Sequence, residues 1–240
     1  MIPKIIHYCW FGQGEMPELV LRCIDSWKKY LPDYTLQLWS EDNFDIASAP
    51  RYVQEAYAAK KYAFVSDYVR LWALEREGGV YLDTDVEVLR SFDPLLDDTA
   101  FIGLEESLAL LPGTCVMGCE PHCQWVKDMI ATYDNATFVR EDGTLDMTTN
   151  VQRLGAKMVE GGLIHERKIQ YISLWGLRVY THDYFSPITS TRVMRKSKNT
   201  HCIHRFAGSW VDGKKNRIRD WWIMREMINI LVQIKRWIIK

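Results

Sequence analysis

The chain has 240 residues, is 48% hydrophobic and 25% charged, and carries a net charge of -1. These values suit an ordinary globular protein long enough to bury one sizeable core. No low-complexity tract, sustained heptad or fixed-period repeat is present, which excludes the disordered, coiled-coil and solenoid classes.

The opening residues, Met1-Ile-Pro-Lys-Ile-Ile-His7, lack the charged region, apolar core and small-residue cleavage site of a secretory signal, and no run of 18 apolar residues follows. Folding in the cytoplasm is expected. Lys4 to Trp10 reads as a buried strand entering the Gly-containing loop Phe11-Gly-Gln-Gly. Glu18 to Tyr30 places Val20, Cys23, Ile24 and Trp27 at helical spacing, and Thr35 to Trp39 reads as a second strand. A strand, helix, strand order predicts a parallel sheet.

From Arg51 to Glu77 the chain is rich in good helix formers, with one apolar stripe through Val65, Val69, Trp72 and Ala73, so a helix is predicted. Gly78-Gly79 ends it and allows a sharp turn into the strand Val80-Tyr-Leu-Asp83. Further strands are expected at Ala100 to Leu104, Thr114 to Met117, Ile169 to Ile172 and Thr200 to His204, and helices at His122 to Tyr133 and Asn150 to Glu160. No Pro-, Gly- or Ser-rich linker divides the chain, which predicts one domain over 1–220 followed by a terminal helix over 221–240.

Six cysteines, Cys9, Cys23, Cys115, Cys119, Cys123 and Cys202, lie mostly in apolar stretches, as reduced thiols do. Cys115, Cys119 and Cys123 with His122 do not follow a zinc-ribbon spacing, and Pro121 interrupts any helix that would align them. Charge is uneven: 192–240 holds thirteen Lys and Arg against three Asp and Glu. A basic tail of this kind suits an anionic partner, whether donor phosphate, anionic lipid or nucleic acid, or is a solvated face.

Asp83 and Asp85 stand two apart where an apolar strand runs out, and on an extended backbone both project to one side. Ligands bind at that end of open α/β sheets, and two carboxylates there suit Mg²⁺ or Mn²⁺ carrying a diphosphate. The pattern alone is weak, because seventeen Asp in 240 residues give roughly one such pair by chance. A turn with solvated carboxylates is the plain alternative.

The surroundings resemble a known family. Ile2-Pro-Lys-Ile-Ile-His-Tyr-Cys-Trp10-Phe-Gly, Tyr62-Ala-Phe-Val-Ser66-Asp67-Tyr-Val-Arg70-Leu, Gly78-Gly-Val-Tyr-Leu-Asp83-Thr-Asp85, and Ile203-His204 with Ser209-Trp210 look like the ordered blocks of family-32 glycosyltransferases. That family includes bacterial capsular sugar transferases, yeast-type initiating mannosyltransferases and, more distantly, glucosylating clostridial toxins. The resemblance spans residues 2 to 210. It implies an α/β fold of GT-A type, a Rossmann-like mixed sheet flanked by helices, and a retaining, metal-dependent transfer of a sugar from a nucleotide diphosphate sugar, a UDP-sugar above all with GDP-mannose left open, to a glycan or lipid-linked glycan.

It also implies roles. Trp10 resembles the tryptophan that stacks on the donor base, with core packing as its alternative. Asp67 and Arg70 share a helix face and resemble the pair that grips donor sugar and phosphate; the alternative is a surface ion pair. Asp83 would reach ribose and sugar hydroxyls, Asp85 would bind the metal directly, and His204 would complete the site, Mn²⁺ suiting an imidazole better than Mg²⁺ does. His201, three residues away in a strand, faces the other side. Ser209 and Trp210 resemble a closing loop that contacts the leaving phosphate and excludes water. Acceptor contacts are expected from variable segments, Glu105 to Thr114 and Asp134 to Met147.

Trp221 to Lys240 is apolar around most of a helical wheel, with Arg225, Asn229, Gln233, Arg236 and Lys240 on a narrow polar stripe. It reads either as an interfacial helix on an anionic membrane surface or as a helix packed on the core or a partner subunit. Two rival functions stand beside the transferase. A non-catalytic nucleotide-sugar or membrane-binding module is opposed by the intact Asp67, Arg70, Asp83 and Asp85. A haloacid-dehalogenase phosphatase, suggested by Leu82-Asp-Thr-Asp-Val, lacks its second acidic pair downstream.

Overall fold

Side chains alternate across a pleated strand, and this chain uses the alternation to bury a separate core on each face of one sheet. A computed structural model describes residues 1–105, 112–164, 168–188 and 193–207. The strands of the main sheet are β1 (Ile5–Cys9), β2 (Thr35–Trp39), β3 (Gly79–Leu82), β5 (Ala100–Leu104), β6 (Pro112–Cys119), β7 (Gln170–Ile172) and β8 (Leu177–Tyr180), in the spatial order β2-β1-β3-β6-β5-β8-β7. A two-stranded ribbon pairs β4 (Val86–Val88) with β9 (Cys202–His204).

β1 lies parallel to both β2 and β3, β6 runs antiparallel to β3 and β5, and β8 is parallel to β5. The expected Rossmann-like mixed sheet flanked by helices is therefore present. Val80 and Leu82 of β3 join one core with Val20, Ile24 and Trp27 of α1 (Glu18–Tyr30) and with Val86 and Cys202 of the ribbon. Tyr81, between them, joins the other core, which holds α2 (Arg51–Ala58), α3 (Tyr62–Glu77), α4 (Gln124–Ile130) and α5 (Asn150–Glu160). All six cysteines are buried free thiols.

Glycine shapes the entry into β3. Gly78 and Gly79 have φ of 64° and 99°, and a Cβ on Gly79 would stand 2.8 Å from the Ile5 carbonyl oxygen. Buried His7 fixes this corner: its Nε2 donates to the Gly78 carbonyl at 2.8 Å and its Nδ1 accepts from Trp39 Nε1 at 3.1 Å. Strand β1, strand β2 and the end of α3 are thus tied through one imidazole.

Three of the differences from the expected boundaries have a visible cause. The single helix expected over Arg51 to Glu77 is two, because Lys60 turns with φ 57° and the Lys61 amide bonds back to the Ala56 carbonyl at 2.9 Å. The helix expected from His122 starts at Gln124, since His122 takes φ 59° and docks on α3, its amide 2.7 Å from the Glu75 carbonyl. The strand expected over Thr200 to His204 spans only Cys202–His204, because Thr200 turns to bond the Asp183 carbonyl through its hydroxyl. Among the described residues, no helix is long and apolar enough to cross a membrane. The expected helix over 221–240, together with Ser209 and Trp210, lies outside the described residues.

Candidate metal centre

The acidic pair sits on a turn, which corrects the extended backbone expected for it. The Val86 amide bonds the Asp83 carbonyl at 3.0 Å, so the chain folds back between β3 and β4. The two carboxylates converge all the same. One ligand atom each from Asp83, Asp85 and His204 lie within 4.8 Å of one another.

Asp83 is held from behind. Its Oδ1 receives Tyr81 Oη at 3.0 Å and Arg70 Nη2 at 3.2 Å. Arg70 comes from α3, where Nη2 also meets Asp67 Oδ1 at 3.1 Å, Nη1 donates to the Thr114 carbonyl at 2.8 Å and Nε to the Ser66 carbonyl at 3.2 Å. Its guanidinium lies 4.5 Å from the centre of the Tyr81 ring. The Thr114 carbonyl is available because the β5–β6 ladder shifts register between Ile102 and Gly103, leaving Thr114 to Val116 unpaired with β5. On the other side of β6 the ladder with β3 runs one residue further, the Asp83 amide bonding the Cys115 carbonyl at 2.9 Å.

Asp67 completes this buried cluster. Its Oδ2 accepts the Asn150 amide at 3.0 Å at the start of α5, and the Asn150 side chain returns to the Asp67 carbonyl at 2.6 Å. Tyr133 Oη in turn donates to Asn150 Oδ1 at 2.7 Å. The surface ion pair considered for Asp67 and Arg70 is ruled out, since both are buried. Burial raises the Asp67 and Asp83 carboxyls above the usual range against the pull of Arg70. Arg70 stays charged: burial opposes its charge, and the carboxylates of Asp83 and Asp67 prevail.

His204 arrives by strand pairing. Val86 stands opposite His204 in the β4–β9 ribbon, which sets the imidazole beside the turn, with Nε2 3.4 Å from Asp85 Oδ1. Its other nitrogen, Nδ1, lies 3.6 Å from Glu105 Oε1. Asp85 Oδ2 accepts the Ala207 amide at 2.7 Å. Burial pushes the Asp85 carboxyl up, and His204 and the Ala207 amide outweigh it to hold the group below the usual range. His204 is raised well above an ordinary histidine although burial opposes its charge, because Cys115 and Asp85 favour it.

Two oxygens and one imidazole nitrogen form a donor set suited to a divalent cation such as Mn²⁺. The 3.4 Å gap between Asp85 and His204 is longer than a charge-assisted hydrogen bond of about 2.7–2.9 Å. Closely placed ligand atoms that do not close on one another fit a bound cation. His201 sits apart, buried, with Nδ1 on the Ser91 carbonyl at 2.7 Å and its ring stacked on Phe92.

Trp10 is half-buried just past β1, its Nε1 donating to the Gly14 carbonyl at 2.6 Å. Ser209 and Trp210 follow Ala207 in sequence and are outside the described residues. Sequence reasoning missed Tyr81, Cys115, Asn150 and Glu105 as neighbours of the site. Glu105, the first residue of a segment expected to contact the acceptor, is buried just past β5. An acid directly after the apolar run Ala100 to Leu104 was the available signal.

A family model described as a glycosyltransferase sugar-binding region containing a DXD motif matches residues 17–102, which include Asp67, Arg70, Asp83 and Asp85. Inositol phosphoceramide mannosyltransferase 3 of Schizosaccharomyces pombe is 36% identical over 104 residues, 42% of this chain and 29% of the relative. Mannosyl phosphorylinositol ceramide synthase CSH1 of Saccharomyces cerevisiae is 32% identical over 109 residues, 42% of this chain and 28% of the relative. The chain thus spans less than a third of the length of these curated relatives. Among solved structures, a PaToxG glycosyltransferase aligns with a TM-score of 0.48 at 19% identity, covering 67% of this chain and 70% of that one.

Proposed function

We propose that the chain is a retaining GT-A-type glycosyltransferase of the family-32 kind that moves a sugar from a nucleoside diphosphate donor to a glycan or lipid-linked glycan. The reading is carried by the convergence of Asp83, Asp85 and His204 at the end of β3, within a segment that matches the DXD sugar-binding region. A cation held by these three side chains supplies neutralisation of the departing diphosphate. Asp85 holds its orientation through the Ala207 amide, and Asp83 through Tyr81 and Arg70, so both carboxylates are set before any ligand arrives.

In the proposed reaction, the acceptor hydroxyl oxygen bonds to the anomeric carbon as the carbon–oxygen bond to the diphosphate breaks. The hydroxyl proton passes to a diphosphate oxygen. No carboxylate is assigned as a covalent nucleophile, and attack on the face the diphosphate leaves keeps the anomeric configuration. Trp10 stacks on the donor base, and Ser209 and Trp210 close over the donor. The mannosyl names of the two yeast relatives favour a mannose donor such as GDP-mannose beside the UDP-sugars expected from the sequence. Cytoplasmic placement, with the terminal helix on an anionic membrane face, belongs to the same proposal.

Release of free nucleoside diphosphate from a panel of UDP-sugars and GDP-mannose, with Mn²⁺ and then with chelator, tests the function. Chelator-sensitive release from one donor is expected. A flat response to every donor, in a protein whose melting temperature no donor raises with Mn²⁺, removes the reading. Metal-dependent binding without release selects the binding-module alternative.

A further inference from the structure

One acidic side chain beside the site has no task in the scheme above. Glu105 is 4% exposed, and its Oε2 has no hydrogen-bond partner among the described residues. His204 Nδ1, also buried, has none either. A buried ring nitrogen and a buried carboxyl oxygen left without partners are costly, and the other oxygen of the same carboxyl, Glu105 Oε1, stands 3.6 Å from His204 Nδ1.

A neutral imidazole that ligates a cation through one nitrogen carries its proton on the other, and that proton needs an acceptor. Nε2 faces Asp85 and the partly exposed Asp83, the side from which an ion can enter. Nδ1 faces the closed interior, where Glu105 and Cys115 are fully buried. The geometry points to Glu105 as a positioning residue: it accepts the Nδ1 proton of His204 and so fixes the ring in the tautomer that presents Nε2 to the metal.

The local fold supplies the room. After the register shift in β5, Gly113 pairs with Gly103, and a Cβ on Gly113 would come within 3.2 Å of Glu105 Cγ. Glu105, Cys115 and His204 also form a second group of closely placed ligand atoms. A single imidazole cannot give both nitrogens to cations without losing both protons, so a carboxylate partner on Nδ1 is the simpler arrangement.

This inference rests on the metal site proposed above, and a titration of Mn²⁺ alone into the full chain separates the two. The wild type is expected to bind one ion, Glu105→Ala to bind it roughly 10- to 100-fold more weakly, and Glu105→Gln, whose amide oxygen still accepts, to fall between. Thermal unfolding without metal controls for folding, and the near-isosteric Glu105→Gln carries the comparison if Glu105→Ala does not fold. With Mg²⁺ bound, nitrogen NMR of His204 should show the Nδ1-protonated tautomer in the wild type and a mixture in Glu105→Ala. Wild-type affinity in Glu105→Ala, an Nε2-protonated ring, or two ions per chain overturns the assignment. Absence of Mn²⁺ binding by the wild type removes the metal site itself and this inference with it.

Discussion

Two corners of the site are built on opposite terms. On the α3 side, Asp67, Arg70, Tyr81, Asn150 and Asp83 form a closed set in which Arg70 alone reaches two carboxylates and two carbonyls. On the ribbon side, Asp85, His204 and Glu105 meet at 3.4 and 3.6 Å, with Glu105 Oε2 and His204 Nδ1 unpartnered among the described residues. The difference teaches which residues are framework and which carry spare valence. A satisfied buried network rigidifies, whereas an unsatisfied one of mixed donors invites a ligand.

The sharpest break between the corners is functional. Asp85→Asn should leave folding near wild type yet abolish Mn²⁺ binding and reduce nucleoside diphosphate release by about 100-fold or more, since a few kcal/mol of barrier are at stake. Titration of Mn²⁺ and a product assay read both. If release survives with chelator present, the ribbon corner is not a metal centre.

On the closed side the effect should fall on stability. Arg70→Met strands Asp67 and Asp83 as buried carboxylates and should cost about 3–5 kcal/mol in denaturant unfolding. Arg70→Lys should recover little, because one ammonium cannot reach the same four acceptors. Asn150→Ala should cost less, about 1–3 kcal/mol, by leaving Tyr133 Oη and the Asp67 carbonyl short of a partner. A variant at either position that keeps wild-type stability while losing donor affinity would move the α3 corner from framework to ligand contact.

The smallest expected effect is on pH dependence. Burial holds His7 and His201 below the ordinary histidine value of 6.5. The unfolded chain therefore takes up protons that the folded one refuses. Their contribution to stability is complete above pH 6.5 and is lost as the pH falls below it. The part owed to His7 is read as the difference in unfolding free energy between the wild type and His7→Gln, which should shrink from about pH 7.5 to 5.

How much of this was legible beforehand depends on how local each feature is. The helices over Glu18–Tyr30 and Asn150–Glu160 and the strands over Thr35–Trp39 and Ala100–Leu104 follow from periodicity within a few turns, and the structure has the same limits. The proximity of Asp67 and Arg70 followed from helical spacing, but their burial did not, because it depends on α5 supplying Asn150. The break at Lys60 carried no Gly or Pro to announce it. Nothing in the spacing of Asp85 and His204 reveals that they meet, since that contact is made by a three-residue strand pairing across the molecule. Glu105 lies just past the strand, where the sequence leaves it, but its burial beside His204 is set by a strand from the far end of the chain.

The ribbon also dictates when the site comes into being. The amide that fixes Asp85 lies 122 positions downstream, beyond the strand that delivers His204. During synthesis the acidic turn therefore emerges long before its imidazole partner, and a nascent chain stopped short of β9 carries the aspartates without the means to retain an ion between them. In the proposed metal site, competence for the cation is conferred by the last strand of the described fold.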